Sequence, residues 1–184
     1  LRRWLKADHQ VVLGTTGGMW DHLFERDLTL EGQEDQRLEL MRAVEESAVS
    51  QQQLDQLVPL LTEALGCQVT LCLIPEALVP QEQAELLQTL AAASAEAARL
   101  SIDVTHGFRH LPMLALLATL YLRSARPQLQ IAGLWYGALR PGENRSDVVD
   151  LAGILHFADW LGALQRHDWL GDYGSRLRDL ALML

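Results

Sequence analysis

LSIDVTHGFRHLP, residues 100–112, decides the fold. Leu100, Ile102 and Val104 alternate through a run that predicts a strand over 100–105. Thr105-His106-Gly107-Phe108-Arg109-His110 then forms a polar turn, and Pro112 sits where the first turn of a helix tolerates it. That helix reaches about residue 124. Strand, polar turn and apolar helix together make the unit from which parallel α/β sheets are wound.

The same unit recurs upstream. Val11, Val12 and Leu13 predict a short strand, followed by a Gly/Thr loop and a helix start. Leu38, Met41 and Val44 give residues 34–47 a helical face, and residues 50–65 read as a second helix, capped by Ser50 and ended at Gly66. QVTLCLIP, residues 68–75, is apolar on both faces, as a strand buried in a parallel sheet is. Pro80 opens a helix expected to run to about residue 99, with Leu86, Leu87 and Leu90 on its stripe.

Downstream, strands over 130–137 and 147–151 are separated by the polar turn PGENRS, which predicts a β-hairpin and an antiparallel edge. A helix over 153–166 follows, then a glycine break at 171–174 and a further helix start. The order predicts an α/β fold: a Rossmann-like, mostly parallel sheet flanked by helices, with a C-terminal β-hairpin edge and an exit helix. Residues 1–152 are expected to form one domain, and 153–184 a C-terminal helical linker.

The bulk composition narrows the function. The chain has 184 residues, 49% of them hydrophobic, enough for a real core. Its net charge of −9 offers no general attraction for DNA or RNA, so an anionic ligand must be held by local groups. The longest apolar stretch, residues 111–122, is too short for a membrane span and is expected to be a buried helix. The start LRRWLKADHQ lacks the apolar core of a signal peptide and lacks Met. Cys67 and Cys72 make no zinc pattern and are expected to be reduced thiols of a cytoplasmic protein.

Ligands of parallel α/β sheets bind beyond the carboxyl ends of the strands, and two loops qualify. The first, Gly14-Thr15-Thr16-Gly17-Gly18 with Met19 and Trp20, offers backbone N–H groups, hydroxyls and close approach ahead of a helix start. It is neither GxGxxG nor a P-loop, so an ordinary turn explains it equally well, and Trp20 can stack on a base or fill the core. In the second, Asp103 stands in an otherwise apolar strand and needs partners, which Thr105 or the following N–H groups can supply. Gly107 permits positive φ, Arg109 can grip a phosphate in bidentate fashion, and His106 and His110 can donate to phosphate or meet a base. A capping network with solvated side chains is the alternative. No nucleophile elbow, HExxH or carboxylate cluster is present, so no catalytic or metal-binding residue is assigned; His156 and His167 read as helix-surface residues.

Asp103-Val104-Thr105-His106-Gly107, continued through Phe108-Arg109-His110-Leu111-Pro112, resembles the DxTHG motif. That motif marks a group of CRISPR-associated proteins with a CARF domain (CRISPR-associated Rossmann fold). VVLGTTGGMWDHLFE resembles the group's strand–loop–helix, and LWYGAL and VVDLAGILHFADWLGAL resemble its final strands and exit helix, so the likeness spans about residues 11–174. The resemblance implies a type III CRISPR accessory protein whose CARF domains dimerise and bind a cyclic oligoadenylate, commonly cyclic tetra-adenylate, across the two-fold axis. Binding would switch an effector, often a HEPN ribonuclease. The ligand residues would be Gly14, Thr15, Thr16, Gly17, Gly18, Met19, Trp20, Thr105, His106, Gly107, Phe108, Arg109 and His110, with no cofactor.

Some domains of this class cleave their ligand; ring opening here would draw on His106, Arg109 and Thr105. The family begins with one more strand, central in the sheet, so the sequence is expected to be truncated. The ribonuclease hallmark, Arg followed by four residues and His, does not occur. A generic Rossmann domain for a mononucleotide or dinucleotide is the third reading, weakened because no GxGxxG opens the first βα unit.

Overall fold

Ser50 and Gly66 bracket the helix that organises the first half of the chain. Ser50 Oγ accepts from the Gln53 N–H while the Gln53 side chain accepts from the Ser50 N–H, a complete capping box. Gly66 ends the helix at φ 63°, a left-handed conformation that glycine adopts without strain. The structure, a computed structural model, describes residues 2–26, 33–140, 142 and 146–170.

In chain order its elements are α1 (Arg2–Leu5), β1 (His9–Gly14), a 3-10 turn (Trp20–His22), α2 (Leu23–Arg26), α3 (Glu34–Glu45), α4 (Gln51–Leu65), β2 (Gln68–Leu73), α5 (Pro80–Ala93), β3 (Arg99–Asp103), α6 (Leu111–Ala125), β4 (Gln130–Leu139), β5 (Ser146–Asp150) and α7 (Gly153–Leu170). The fold is α/β and Rossmann-like. Two compact units make it up, one ending at Ala95 and one beginning at Glu96, so the division falls inside the stretch read as a single domain, and α7 belongs to the second unit. No helix among the described residues is long and apolar enough to cross a membrane.

In the first unit β1 and β2 pair in parallel, from His9 opposite Gln68 to Gly14 opposite Leu73. Val69 and Leu71 on β2 meet Leu54, Leu57 and Leu61 of α4 in a core that also takes Trp20, Phe24, Leu40 and Val49. The three α4 leucines recur at helical spacing, so a single stripe enters the core. The outer edge of β2 is closed by a side chain: the Gln51 amide donates to the Leu71 carbonyl and accepts from the Leu73 N–H. That amide substitutes for a neighbouring strand at those two positions.

In the second unit β3 and β4 are parallel and β4 and β5 antiparallel, giving the order β3-β4-β5 and the expected hairpin edge. The β3–β4 register shifts between Leu100 and Ser101, where Ile131 and Gly133 are the successive partners. Glycine is required at 133: a Cβ there would lie 2.4 Å from the Trp135 ring, which folds back over the strand. Asp150 Oδ1 accepts from the Ala152 N–H ahead of α7, and Arg123 on α6 pairs with Asp159 on α7 at 2.7 Å.

The described strands thus form two sheets, one per unit, and within each the parallel pairing is as expected. The exit helix, expected over 153–166, runs on to Leu170, and two further element readings change. The helix begun at Pro80 ends at Ala93, six residues early, because Ser94 Oγ turns back to the carbonyls of Leu90 and Ala91 and closes the last turn. α6, expected to be buried, buries one face only: Ala118, Thr119 and Leu122 are inside while Met113, Leu117 and Tyr121 stand exposed. The turn PGENRS, apart from Gly142, and the helix start after 174 lie outside the described residues.

Candidate functional site

The second loop leaves β3 through a polar bracket. Asp103, the last β3 residue, turns one carboxylate oxygen onto Thr105, accepting from its backbone N–H at 3.0 Å and its hydroxyl at 2.5 Å. Thr105 Oγ1 in turn accepts from the Gly137 N–H on β4 at 2.7 Å. The carboxylate that the strand pattern left needing partners has found them locally, as expected. The Thr105 hydroxyl is thereby committed on both its donor and its acceptor side.

Beyond the bracket the chain turns outward. Gly107 has φ 119°, which strongly favours glycine, and even a Cβ there would crowd Leu111 Cδ1 at 3.3 Å. His106, Gly107, Phe108 and Arg109 are all exposed. The Phe108 and His110 rings stack with centroids 5.8 Å apart and planes 14° apart. Arg109 and His106 make no hydrogen bond or ion pair among the described residues. His110 is the N-cap of α6 without a side-chain cap bond, and Pro112 removes one of the N–H groups the first turn would leave open. The N–H groups of Leu111, Met113 and Leu114 at the helix start are taken by the carbonyls of Phe108 and His110, so the open backbone donors are those of residues 106–109 in the loop itself, among the described residues.

The first loop is built differently. Its turn closes with the Gly18 N–H on the Thr15 carbonyl at 2.9 Å, and the Trp20 indole N–H reaches that same carbonyl at 2.8 Å. Trp20 is only 3% exposed, so its ring is a floor beneath the loop and has no face open to a base. Gly14 owes its identity to that ring: a Cβ would stand 2.7 Å from Trp20 Cζ2. The Thr16 carbonyl accepts from the Val49 N–H, which ties the loop to the segment before α4. Thr15 is buried, whereas Thr16, Gly17 and Met19 are exposed. The N–H groups of Thr16 and Gly17 make no backbone bond among the described residues.

Each loop therefore follows the carboxyl end of a parallel strand in its own unit. Of the residues singled out by sequence, Thr16, Gly17, Met19, His106, Gly107, Phe108 and Arg109 present themselves to solvent, Gly18 and His110 do so in part, and Trp20 and Thr105 support their loops from within. Gly137 was not singled out, since its partner Thr105 is 32 residues away in sequence. His156 is exposed on α7, as read. Cys67 and Cys72 form no disulfide and are half-buried; burial, and behind it the Asp55 carboxylate, push the Cys72 thiol up. Among the described residues no three His, Cys, Asp or Glu side chains cluster as a metal site would require. Comparison with protein-family models and with curated proteins finds no match for this chain.

Proposed function

We propose that this chain is a ligand-sensing module of the CARF type, which binds a cyclic oligoadenylate, cyclic tetra-adenylate first among them, as a homodimer and passes the binding event to an effector. The observation that carries the reading is the 105–110 loop. Arg109 is exposed and unpaired among the described residues, it stands in sequence between the stacked Phe108 and His110, and the N–H groups of residues 106–109 make no backbone bond there. Guanidinium and backbone N–H groups suit phosphate, and ring faces suit adenine. A net charge of −9 leaves such local donors as the means of holding an anion. A ligand with two-fold symmetry matches two copies of one loop around a dimer axis.

Binding is preferred to cleavage of the ring. Of the three residues named for ring opening, Thr105 has its hydroxyl engaged by Asp103 and Gly137. That leaves His106 and Arg109, enough to hold a phosphate and short of a complete acid–base set.

Titration calorimetry of the chain with cyclic tetra-adenylate tests the proposal. One ligand per two chains is expected, and Arg109→Ala should cost about 1–3 kcal/mol of binding. Heat with NAD or ATP and none with cyclic tetra-adenylate would replace the reading with a generic nucleotide domain. Conversion of the ligand to linear product by excess protein would move it to the ring nuclease.

A further inference from the structure

The β3–β4 ladder ends in an unusual exchange. The Val104 N–H donates to the Trp135 carbonyl at 2.8 Å, a normal parallel rung. In a continued parallel ladder the next donor on β4, the Gly137 N–H, would reach the carbonyl of Val104. It reaches Thr105 Oγ1 instead. A side-chain hydroxyl thus completes the rung and the main chain is released from the sheet one residue earlier. Asp103 fixes that hydroxyl by accepting its hydrogen bond, which leaves an Oγ1 lone pair for the Gly137 N–H on β4. Gly137 fixes it from the other side: a Cβ at 137 would lie 2.9 Å from Thr105 Cγ2 and 3.2 Å from Oγ1, so no larger residue fits while Thr105 keeps this place.

We propose that Gly137 and Asp103 are positioning residues for the 106–110 loop, both acting through Thr105, so that β4 sets where Arg109 and His106 stand. The role in binding rests on the functional reading above; the role in placing the loop does not. Neither residue touches the ligand in this scheme. Thr105 serves as a backbone surrogate, and its hydroxyl, not its methyl group, carries the role.

Amide hydrogen exchange and the backbone amide shifts of residues 106–110 test the placement without ligand. Thr105→Val, which keeps the shape and loses the hydroxyl, should speed exchange at the Gly137 amide by about tenfold or more and move the loop shifts. Thr105→Ser, which keeps the hydroxyl, should leave both near wild type. Gly137→Ala should move the same loop shifts by displacing the side chain. If Thr105→Val leaves exchange at Gly137 and the loop shifts unchanged, the proposal is overturned, whether or not the chain binds anything.

Affinity for cyclic tetra-adenylate supplies the second arm. Thr105→Val and Gly137→Ala should weaken it by about tenfold while Thr105→Ser stays within about threefold, with exchange protection in the β4–β5 hairpin retained. Moved loop shifts with unchanged affinity would overturn the positioning role and leave the sensor reading standing. A wild-type chain that ignores cyclic tetra-adenylate while its loop shifts respond as stated would sink the sensor reading and leave the placement intact.

Discussion

In the first unit the supports are apolar: Trp20, Leu40, Leu54, Leu57, Leu61, Val69 and Leu71 form one continuous cluster, and the 14–20 loop rests on the tryptophan. In the second unit the corresponding joints are polar. Asp103, Thr105 and Gly137 hold the 105–110 loop, Arg123 and Asp159 join α6 to α7, and the Arg126 guanidinium donates to the Ala97 carbonyl. Apolar packing is non-directional and scales with area, so a loop propped on it is held firmly without any single bond being decisive. Polar brackets fix direction at a smaller net gain per bond, which suits a loop that must aim side chains outward. The contrast leaves the 14–20 loop propped on packing and the 105–110 loop aimed by single polar bonds.

Removing the platform is the most damaging test of this contrast. Trp20→Ala deletes a side chain that is 3% exposed together with its bond to the Thr15 carbonyl, and should cost the first unit about 3–5 kcal/mol. Hydrogen exchange read at the amides of α4 and β2 checks it, because those elements share the cluster with Trp20. A loss below about 1 kcal/mol would mean that the ring is a loop residue after all.

Arg123→Ala probes the polar side and should do much less. The Arg123–Asp159 pair is part-exposed, with side chains at 28% and 26%, and Arg123 also donates to the Leu155 carbonyl at 3.3 Å. Such a pair contributes about 0.5–1 kcal/mol and weakens as salt rises. Exchange at the α7 amides around Leu155 and Asp159 should quicken accordingly, and the wild type should approach the variant in high salt. Salt-independent protection in the wild type would show that packing, not charge, joins these helices.

Much of this organisation was legible in the sequence where the cause is local. The Ser50 cap, the Gly66 stop and the β4–β5 hairpin follow from residues within a turn of each other. So did the need of Asp103 for a partner, satisfied two residues on by Thr105. What lay out of reach depends on distant chain. Nothing adjacent to Gly137 announces Thr105, and the two readings of Trp20 are separated only by what α3 and α4 bring against its ring. Residues 111–122 form a mostly apolar run, with only Thr119 polar, and show no clear periodicity, so the pattern does not single out Met113, Leu117 and Tyr121 as the residues left outside. The Gln51 amide that closes the β2 edge is 20 residues from the Leu71 carbonyl it meets.

The smallest effect sharpens the contrast by asking what apolar surroundings do to a group that can ionise. Cys72 lies on β2 opposite Leu13, just before the first loop. Burial there, with the Asp55 charge second, raises its pKa, so the folded chain keeps the thiol proton to higher pH than the unfolded chain does. Below the unfolded value of about 8.5 both states hold the proton and stability is unaffected. Above it the unfolded state ionises first, so stability falls as pH rises toward the folded pKa. Urea midpoints at neutral pH and at about pH 9.5 should therefore fall further apart in the wild type than in Cys72→Ser, with Asp55→Asn between them. Parallel falls in the wild type and Cys72→Ser would mean that β2 does not exclude water at this position and that the apolar support ends short of the loop.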